Sequence, residues 1–368
     1  LENADAGIII TASHNPRNWN ALKLLNRKGE FINAEDGEKL LRIANSNPLE
    51  YETKNLGQVE FKNEYINTHT EMIINLPLVD VDLIRSKNFK IVVDAVNSTG
   101  GIAVPNLLKK LGVEVIKLYC EPNGEFPHNP EPLKENLTEL SNMVIKEHAD
   151  LGIVVDPDVD RLAFVSENGQ VFGEEYTLVA CADYYLKNNP GVTVSNLSSS
   201  RALKDVTELH GCEYFSSAVG EVNVVEKMKE KNAVIGGEGN GGIILPELHY
   251  GRDALVGIAL FLTYLSKLDI SCSQLRKQYT NYYMSKEKVE LSDDINVDYI
   301  INNVMEKYLN EKINTIDGLK IDFVDSWVQL RKSNTEPIIR VYSEAKSQQK
   351  ASFLTETVIK EIIEFTKN

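Results

Sequence analysis

Positive charge is scarce in this sequence: 39 Lys and Arg stand against 54 Asp and Glu, a formal net charge of −15. Nucleic acids and anionic membrane surfaces need a clustered excess of Lys and Arg, so neither is expected as a partner. A small anionic ligand would need a locally basic pocket. Cysteine is sparse too. Cys120, Cys181, Cys212 and Cys272 are widely spaced and form no CxxC pair, which gives no support to a cysteine zinc site or a disulfide frame and fits a reducing cytoplasm. Long apolar runs are missing. The one ending at Ile10 falls far short of the roughly 20 residues needed to span a bilayer, and no signal peptide precedes it, so a soluble protein is expected. There is no GxxxxGK[ST] loop and no GxGxxG opening a helix, which disfavours nucleotide binding.

What is present is globular. The 368 residues are 42% hydrophobic and 25% charged, enough for two or more domains with cores of their own. An apolar strand, Ala6 to Ile10, empties into Thr11-Ala12-Ser13-His14-Asn15-Pro16, where Asn-Pro forces a non-helical turn. Helical spacing follows at Ala34 to Asn45 and from about Tyr65 to Leu78. Lys90 to Asp94, Gly100 to Leu111 and Val113 to Leu118 read as a βαβ unit. A helix, Leu133 to His148, then leads to a strand at Asp150 to Val155, and Leu162 to Val165 resumes as strand. Further on, strands are expected at Val192 to Asn196 and Ala233 to Ile235. Helices are expected at Tyr176 to Leu186, Val222 to Lys229 and Ala254 to Leu265. From about residue 285 the texture changes to mixed strands, a polar loop Arg331 to Pro337, a strand Ile338 to Tyr342 and a closing helix Ser352 to Phe365. Four units are read, with limits near 1–64, 65–168, 169–284 and 285–368. The first is short of strands, and a motif so close to Leu1 suggests a chain missing its beginning.

Chemistry concentrates in the loops. Asp156, Asp158 and Asp160 alternate at a strand exit, and three clustered carboxylates repel unless a hard cation such as Mg²⁺ neutralises them. An isolated DxDxD is equally a solvated acidic turn. A calcium loop is the sharper rival, since Glu167 stands at the twelfth position, but Arg161 occupies the sixth, where glycine is required, and the flanks are strands. The planar fork of Arg161 suits a phosphoryl oxygen or a neighbouring carboxylate. Ser13 needs a base or metal to act as a nucleophile, whereas a phosphorylated Ser13 needs only positioning and charge neutralisation to donate its group. The adjacent His14 is a less reliable base than a partner brought from elsewhere, which weakens a hydrolase triad. Alone, Ser-His-Asn-Pro is an ordinary turn and Lys23 a surface charge. The run Gly236 to Gly242 permits a tight loop presenting Glu238 and Asn240, an acceptor and donor pair matched to sugar hydroxyls. The segment Arg331 to Pro337, with Arg340, combines hydroxyls, loop amides and two guanidinium groups suited to a phosphate dianion, although a polar turn has the same composition.

In order, TASHNP (11–16), DPDVDR (156–161), GEGNGG (237–242) and RKSNTEP with its following arginine (331–340) resemble the α-D-phosphohexomutase superfamily of phosphoglucomutases, phosphomannomutases and phosphoglucosamine mutases. The resemblance implies three related α/β domains with mixed sheets, the first truncated, and a C-terminal α+β domain with an open sheet, around a central cleft. It implies that Ser13 is the phosphoserine, and that Mg²⁺ is held by Asp156, Asp158, Asp160 and a phosphoryl oxygen on Ser13. His14, Lys23 and Arg161 fall at catalytic positions, Glu238 and Asn240 on the sugar loop, and Arg331, Ser333, Asn334, Thr335 and Arg340 at the substrate phosphate. Several bacterial members end the sugar loop in Ser-Gly-His. Here Gly242 takes the histidine's place, leaving Lys23 or His14 for proton transfer. The family's upstream arginine loop has no match, so incomplete activity is expected. The implied enzyme is a monomer or homodimer acting on a small sugar phosphate, glucosamine phosphate first, with mannose or glucose phosphate as alternatives. Outside that class stand a non-catalytic sugar-phosphate binder and a phosphatase that uses Asp156 as nucleophile.

Overall fold

A computed structural model describes residues 1–46, 57–292, 295–333 and 337–366. The chain divides into two compact units, Leu1–Thr177 with Asn240–Ser273, and Leu178–Gly239 with Gln274–Asn368.

In the first unit, β1 (Gly7–Ile10) and β2 (Leu22–Leu25) form an antiparallel pair with Ile9 opposite Lys23. Helix α1 (Ala34–Asn45) matches its expected span because the Asn33 side chain caps the Asp36 amide. Helix α2 (Tyr65–Ile74) stops short of the expected Leu78: Asn75 caps it, and Pro77 excludes helical backbone just before it. A short helix that the pattern did not reveal, α3 (Val81–Lys87), follows, capped by Asp80. Strand β3 (Lys90–Asp94), helix α4 (Gly100–Lys110) and β4 (Glu114–Leu118) make the expected βαβ unit with parallel pairing. Gly101 is required there, since a Cβ on it would meet the Cys120 carbonyl oxygen at 2.2 Å. The helix expected over Leu133 to His148 is broken into a 3₁₀ turn, Lys134–Asn136, and α5 (Thr138–Lys146).

Strands β5 (Leu151–Val155) and β6 (Leu162–Ser166) complete a sheet ordered β4-β3-β5-β6, in which only β5 and β6 are antiparallel. Both are buried along their whole length, which explains their continuous apolar character. Helix α6 (Glu174–Asn188) follows.

The second unit contains β7 (Thr193–Asn196), α7 (Ala202–Leu209), β8 (Tyr214–Ser217), α8 (Glu221–Lys231) and β9 (Ile235–Glu238), with β7 pairing in parallel with both β8 and β9. Sequence periodicity missed α7 and β8. The strand expected at Ala233 to Ile235 lies two residues later: the Ala233 amide still bonds back to Met228 of α8. A Cβ on Gly236 would meet the Val194 carbonyl at 2.7 Å, so glycine there lets β9 approach β7.

Strand β10 (Gly242–Ile244) and the 15-residue helix α9 (Ala254–Leu268) belong to the first unit. Helix α9 is buried nearly all round and packs on α2, α3 and β6, with Phe261 stacked on Phe164 at 3.8 Å. Helix α10 (Cys272–Arg276) leads to an antiparallel sheet of β11 (Tyr283–Glu290), β12 (Lys312–Asn314), β13 (Leu319–Asp322), β14 (Ser326–Lys332) and β15 (Ile338–Ala345), in the order β11-β15-β14-β13-β12. One face carries α11 (Val297–Lys307) and α12 (Gln348–Phe365) over an aliphatic core that includes Ile300, Val328, Val341 and Val358. Arg331 and Lys332 are strand residues and not the loop expected of them, because they pair with Arg340 and Ile339.

All four cysteines are free thiols. No helix among the described residues is long and apolar enough to cross a membrane.

Candidate active site

Two loops in the first unit, with Lys23 of β2, bring half of the expected residues together. The loop between β1 and β2 carries Ser13, and the loop between β5 and β6 carries the aspartates. Ser13 has φ 52°, left-handed backbone unusual for a residue with a side chain. Its amide is held by Thr11 Oγ1 at 2.9 Å, and the Thr11 hydroxyl in turn donates to Asp158 Oδ2 at 3.3 Å. Lys23, on β2, donates to Asp158 Oδ2 at 2.6 Å and to Asp160 Oδ2 at 2.9 Å. Strand pairing explains why a lysine ten residues from Ser13 arrives here.

The aspartate loop is folded by its own first residue. Asp156 Oδ1 accepts the amides of Asp160 and Arg161, both at 3.0 Å, wrapping the chain around one carboxylate oxygen. Val159, at φ 61°, makes the turn at the cost of strain in a β-branched residue. Ser98 and Thr99 donate to the Pro157 carbonyl and hold the loop from α4's side. Three oxygens remain: Asp156 Oδ2, Asp158 Oδ1 and Asp160 Oδ1 are buried and accept no hydrogen bond. The three carboxylates offer ligand atoms within 4.8 Å of one another. Orphaned buried carboxylate oxygens are costly, and an all-oxygen set of this kind suits a hard divalent cation. Burial, with the charges of Asp160 and Asp158, raises the proton affinity of Asp156 well above the usual carboxylate range. Asp160 moves the other way: burial opposes its charge, but Arg252 and Lys23 outweigh it. Lys23 is likewise desolvated, yet Asp160 and Asp158 hold it protonated.

His14 differs from expectation. Its Nδ1 lies 3.2 Å from Ser13 Oγ, so the adjacent histidine does reach the serine, helped by the left-handed turn. Its Nε2 lies 3.4 Å from Arg161 Nη2. An arginine can only donate, so Nε2 is the acceptor nitrogen and the neutral ring carries its proton on Nδ1, pointing at Ser13. Burial and the Arg161 charge lower the His14 pKa, which keeps it neutral. Arg161 is itself held by Glu131 at 2.7 Å.

Sequence reasoning gave Arg252 no role in the site. It donates to Asp160 Oδ2 at 2.7 Å, and its path depends on a glycine: a Cβ on Gly242 would meet Arg252 Cδ at 2.3 Å. The departure noted at Gly242 thus makes room for an arginine that no local feature of the sequence marked. Gly241, at φ 85°, is equally constrained, since a Cβ there would lie 2.1 Å from the Leu162 carbonyl. Asn240 is half-buried and accepts the Gly242 amide at 3.2 Å.

Glu238 and the C-terminal arginines lie in the second unit. Glu238 is not presented on a loop: it ends β9, buried, with Oε1 accepting from Asn196 Nδ2 at 2.7 Å and the Gly220 amide at 3.2 Å. Arg331 and Arg340 stand directly opposite each other on β14 and β15, and Lys288 of β11 is opposite Arg340 on its other side. Like charges in register repel. Asp317 partly relieves this by accepting from Arg331 Nε at 2.9 Å. The Ser333 amide bonds the Ile338 carbonyl and closes the hairpin base. Asn334 and Thr335 lie outside the described residues.

Comparison with known proteins agrees over the whole chain. Models of the phosphoglucomutase/phosphomannomutase family match as alpha/beta/alpha domain I at residues 1–50, domain II at 63–169, domain III at 173–283 and the C-terminal domain at 284–361. A phosphoglucomutase/phosphomannomutase of Thermococcus kodakarensis is 36% identical over 99% of this chain and 80% of its own length. A probable phosphoglucosamine mutase of Methanopyrus kandleri is 34% identical over 97% of this chain and 79% of its own. Among solved structures, a phosphoglucomutase/phosphomannomutase family protein of Burkholderia thailandensis superposes with TM-score 0.84 at 27% identity, covering 99% of this chain and 77% of that one.

Proposed function

The chain belongs to the phosphoglucomutase/phosphomannomutase family, and we propose that it is a phosphohexomutase that carries the transferred phosphoryl group on Ser13. The observation that carries this reading is the union of the Ser13 loop with the aspartate loop through Thr11, Lys23 and Asp158. A simple sugar-phosphate binder needs neither the serine nor three orphaned carboxylate oxygens. A phosphatase using Asp156 as nucleophile is disfavoured, since that carboxylate is wholly buried and its Oδ1 is committed to two backbone amides.

Asp156, Asp158, Asp160 and a phosphoryl oxygen on Ser13 would hold Mg²⁺. When bound, such an ion neutralises charge on the transferring phosphoryl group. The chain's own residues do the rest. His14 Nδ1–H is placed to donate a hydrogen bond to Ser13 Oγ and so stabilise the negative charge that develops there as its bond to phosphorus breaks, and Arg161 on Nε2 keeps the ring's proton on that side. Lys23 and Arg252 offset the aspartates' charge and fix their orientation. The proposed reaction interconverts hexose 6-phosphate and hexose 1-phosphate through a bisphosphorylated sugar. Asn240 and Glu238 are assigned to the sugar, and Arg331, Ser333, Asn334, Thr335 and Arg340 to its phosphate; the domain limits are those near residues 64, 168 and 284. The row Arg331, Arg340 and Lys288 supports an anion site in the last domain, because a phosphate dianion relieves its repulsion.

Glucosamine phosphate is proposed as the preferred substrate, supported by archaeal relatives bearing the name probable phosphoglucosamine mutase. Coupled assays on glucosamine, glucose and mannose 6-phosphates, with intact-mass measurement, test both levels. Turnover with a phosphate-sized mass increment that disappears in Ser13→Ala supports the mutase. An increment retained in that variant relocates the carrier, and no turnover of any of the three sinks the enzyme reading.

A further inference from the structure

Away from the aspartates, the first unit gathers a second group of metal-type ligands. His69 lies on α2, while His249 and Asp253 lie on the segment between β10 and α9. Both imidazoles aim Nε2 at one oxygen: Asp253 Oδ2 is 2.6 Å from His69 and 3.0 Å from His249. The other carboxylate oxygen is committed, since Asp253 Oδ1 accepts the amides of Leu255 and Val256 at the start of α9. That commitment fixes the plane of a buried carboxylate and leaves one oxygen for the histidines. The rings are tilted by 49° with centroids 5.6 Å apart, so they converge at their tips and do not stack.

We infer that His69, His249 and Asp253 form a binding site for a borderline divalent cation of the zinc class, distinct from the aspartate site. Two imidazole nitrogens and one carboxylate oxygen make a mixed donor set that zinc, cobalt and nickel prefer and magnesium does not. The three donor atoms lie within 4.8 Å of one another. Around an ion with bonds of ~2.1 Å, donors stand roughly 3–3.4 Å apart, so the 2.6 Å contact opens by roughly 0.4–0.8 Å and the 3.0 Å contact by at most about 0.4 Å. Each neutral ring then carries its proton on Nδ1 and offers the Nε2 lone pair. The His249 side chain is 42% exposed, which gives the ion an entry path and leaves a coordination position to solvent. The carboxylate is oriented by backbone amides, the kind of outer support that ordered metal ligands have.

The placement also links the two sites. Arg252, which holds Asp160 at 2.7 Å, is the residue before Asp253. An ion at the histidines would tie α2 to the segment that carries this arginine and so stiffen one support of the aspartate loop.

The test is zinc uptake by the full chain, freed of metal by chelator and dialysed against micromolar ZnCl₂ with millimolar MgCl₂ present throughout. The wild type is expected to take up one equivalent that His69→Gln and His249→Gln each weaken at least ~10-fold and that Asp158→Asn retains. Cobalt in place of zinc should give visible absorption bands that are lost in the same two histidine variants. Circular dichroism and melting temperature in chelator, matched to wild type, show that His249→Gln is folded; at a half-exposed position it is expected to pass. If His69→Gln alone fails that control, His249→Gln decides. Equal zinc affinity in His249→Gln overturns the inference, as does an equivalent that vanishes in Asp158→Asn. None of these readouts depends on mutase activity.

Discussion

The two loops that meet at Ser13 rest on very different supports. Behind the aspartate loop, β5 and β6 are buried at every position and lie in a four-stranded sheet covered by helices. Behind the serine loop, β1 and β2 pair as strands with each other alone among the described residues, and Ile8, Ile10 and Leu22 are more than 60% exposed. Helix α1, next in the chain, has no buried residue. A two-stranded ribbon without a packed face is marginally stable on its own. Among the described residues, Thr11 and Lys23 tie the serine loop to the aspartate loop, so the buried strands help to position the exposed pair.

The sharpest break of this arrangement is chemical. Ser13→Ala removes the proposed group carrier and should lower turnover by at least ~10³-fold while leaving the melting temperature within a degree or two; a variant that keeps activity ends the carrier role. Next comes the support itself. Phe164→Ala, in β6 and stacked on Phe261, should cost about 3–5 kcal/mol in denaturant unfolding. Lys23→Met should have an intermediate effect, loosening the serine loop without unfolding the β5–β6 sheet. Hydrogen exchange checks this: protection should fall across residues 7–25 and stay unchanged across 151–166. Equal loss in both segments would show that the two loops do not differ in support.

A smaller effect concerns pH. Asp253 raises the His69 pKa through its hydrogen bond and charge, although burial opposes the shift. A folded pKa above the unfolded one means that the pair's stabilisation is fully present below the unfolded histidine value near 6.5 and is lost as pH rises through the raised value. In chelator, His69→Gln should therefore lower the melting temperature more at pH 6 than at pH 9; the reverse order would contradict the shift. Smallest of all, Ile8→Ala should change stability by less than ~0.5 kcal/mol despite removing a large apolar side chain, because that side chain is mostly in water.

Much of the site was legible because its residue types are chemically unusual where they stand. Three alternating aspartates at the exit of an apolar strand suggest a cation site before any folding is considered, although a solvated acidic turn reads the same. The βαβ unit at 90–118 was legible from its apolar strands and glycine-initiated helix. Short elements were not. Helix α7, with eight residues, and strand β8, with four, are too brief for periodicity to separate from loop, and tertiary pairing makes them. Arg252 was hidden for another reason, since nothing local distinguishes an arginine that crosses a glycine to reach Asp160. Glu238 was misjudged because neighbouring glycines suggest a loop, when they serve a strand that must approach another backbone.

The sequence by itself picked out the run of alternating aspartates and the α/β class, from residue chemistry and from apolar spacing along the chain, while Ser13 stood out as a candidate carrier only through the resemblance of four ordered motifs. Only the tertiary structure decided which nitrogen of His14 faces Ser13, that Lys23 and Arg252 share Asp160, and that His69 meets His249 across 180 residues. The physical reason is distance: hydrogen bonds and ion pairs act over about 3 Å, and which groups come that close is set by the packing of strands and helices, not by their order in the chain.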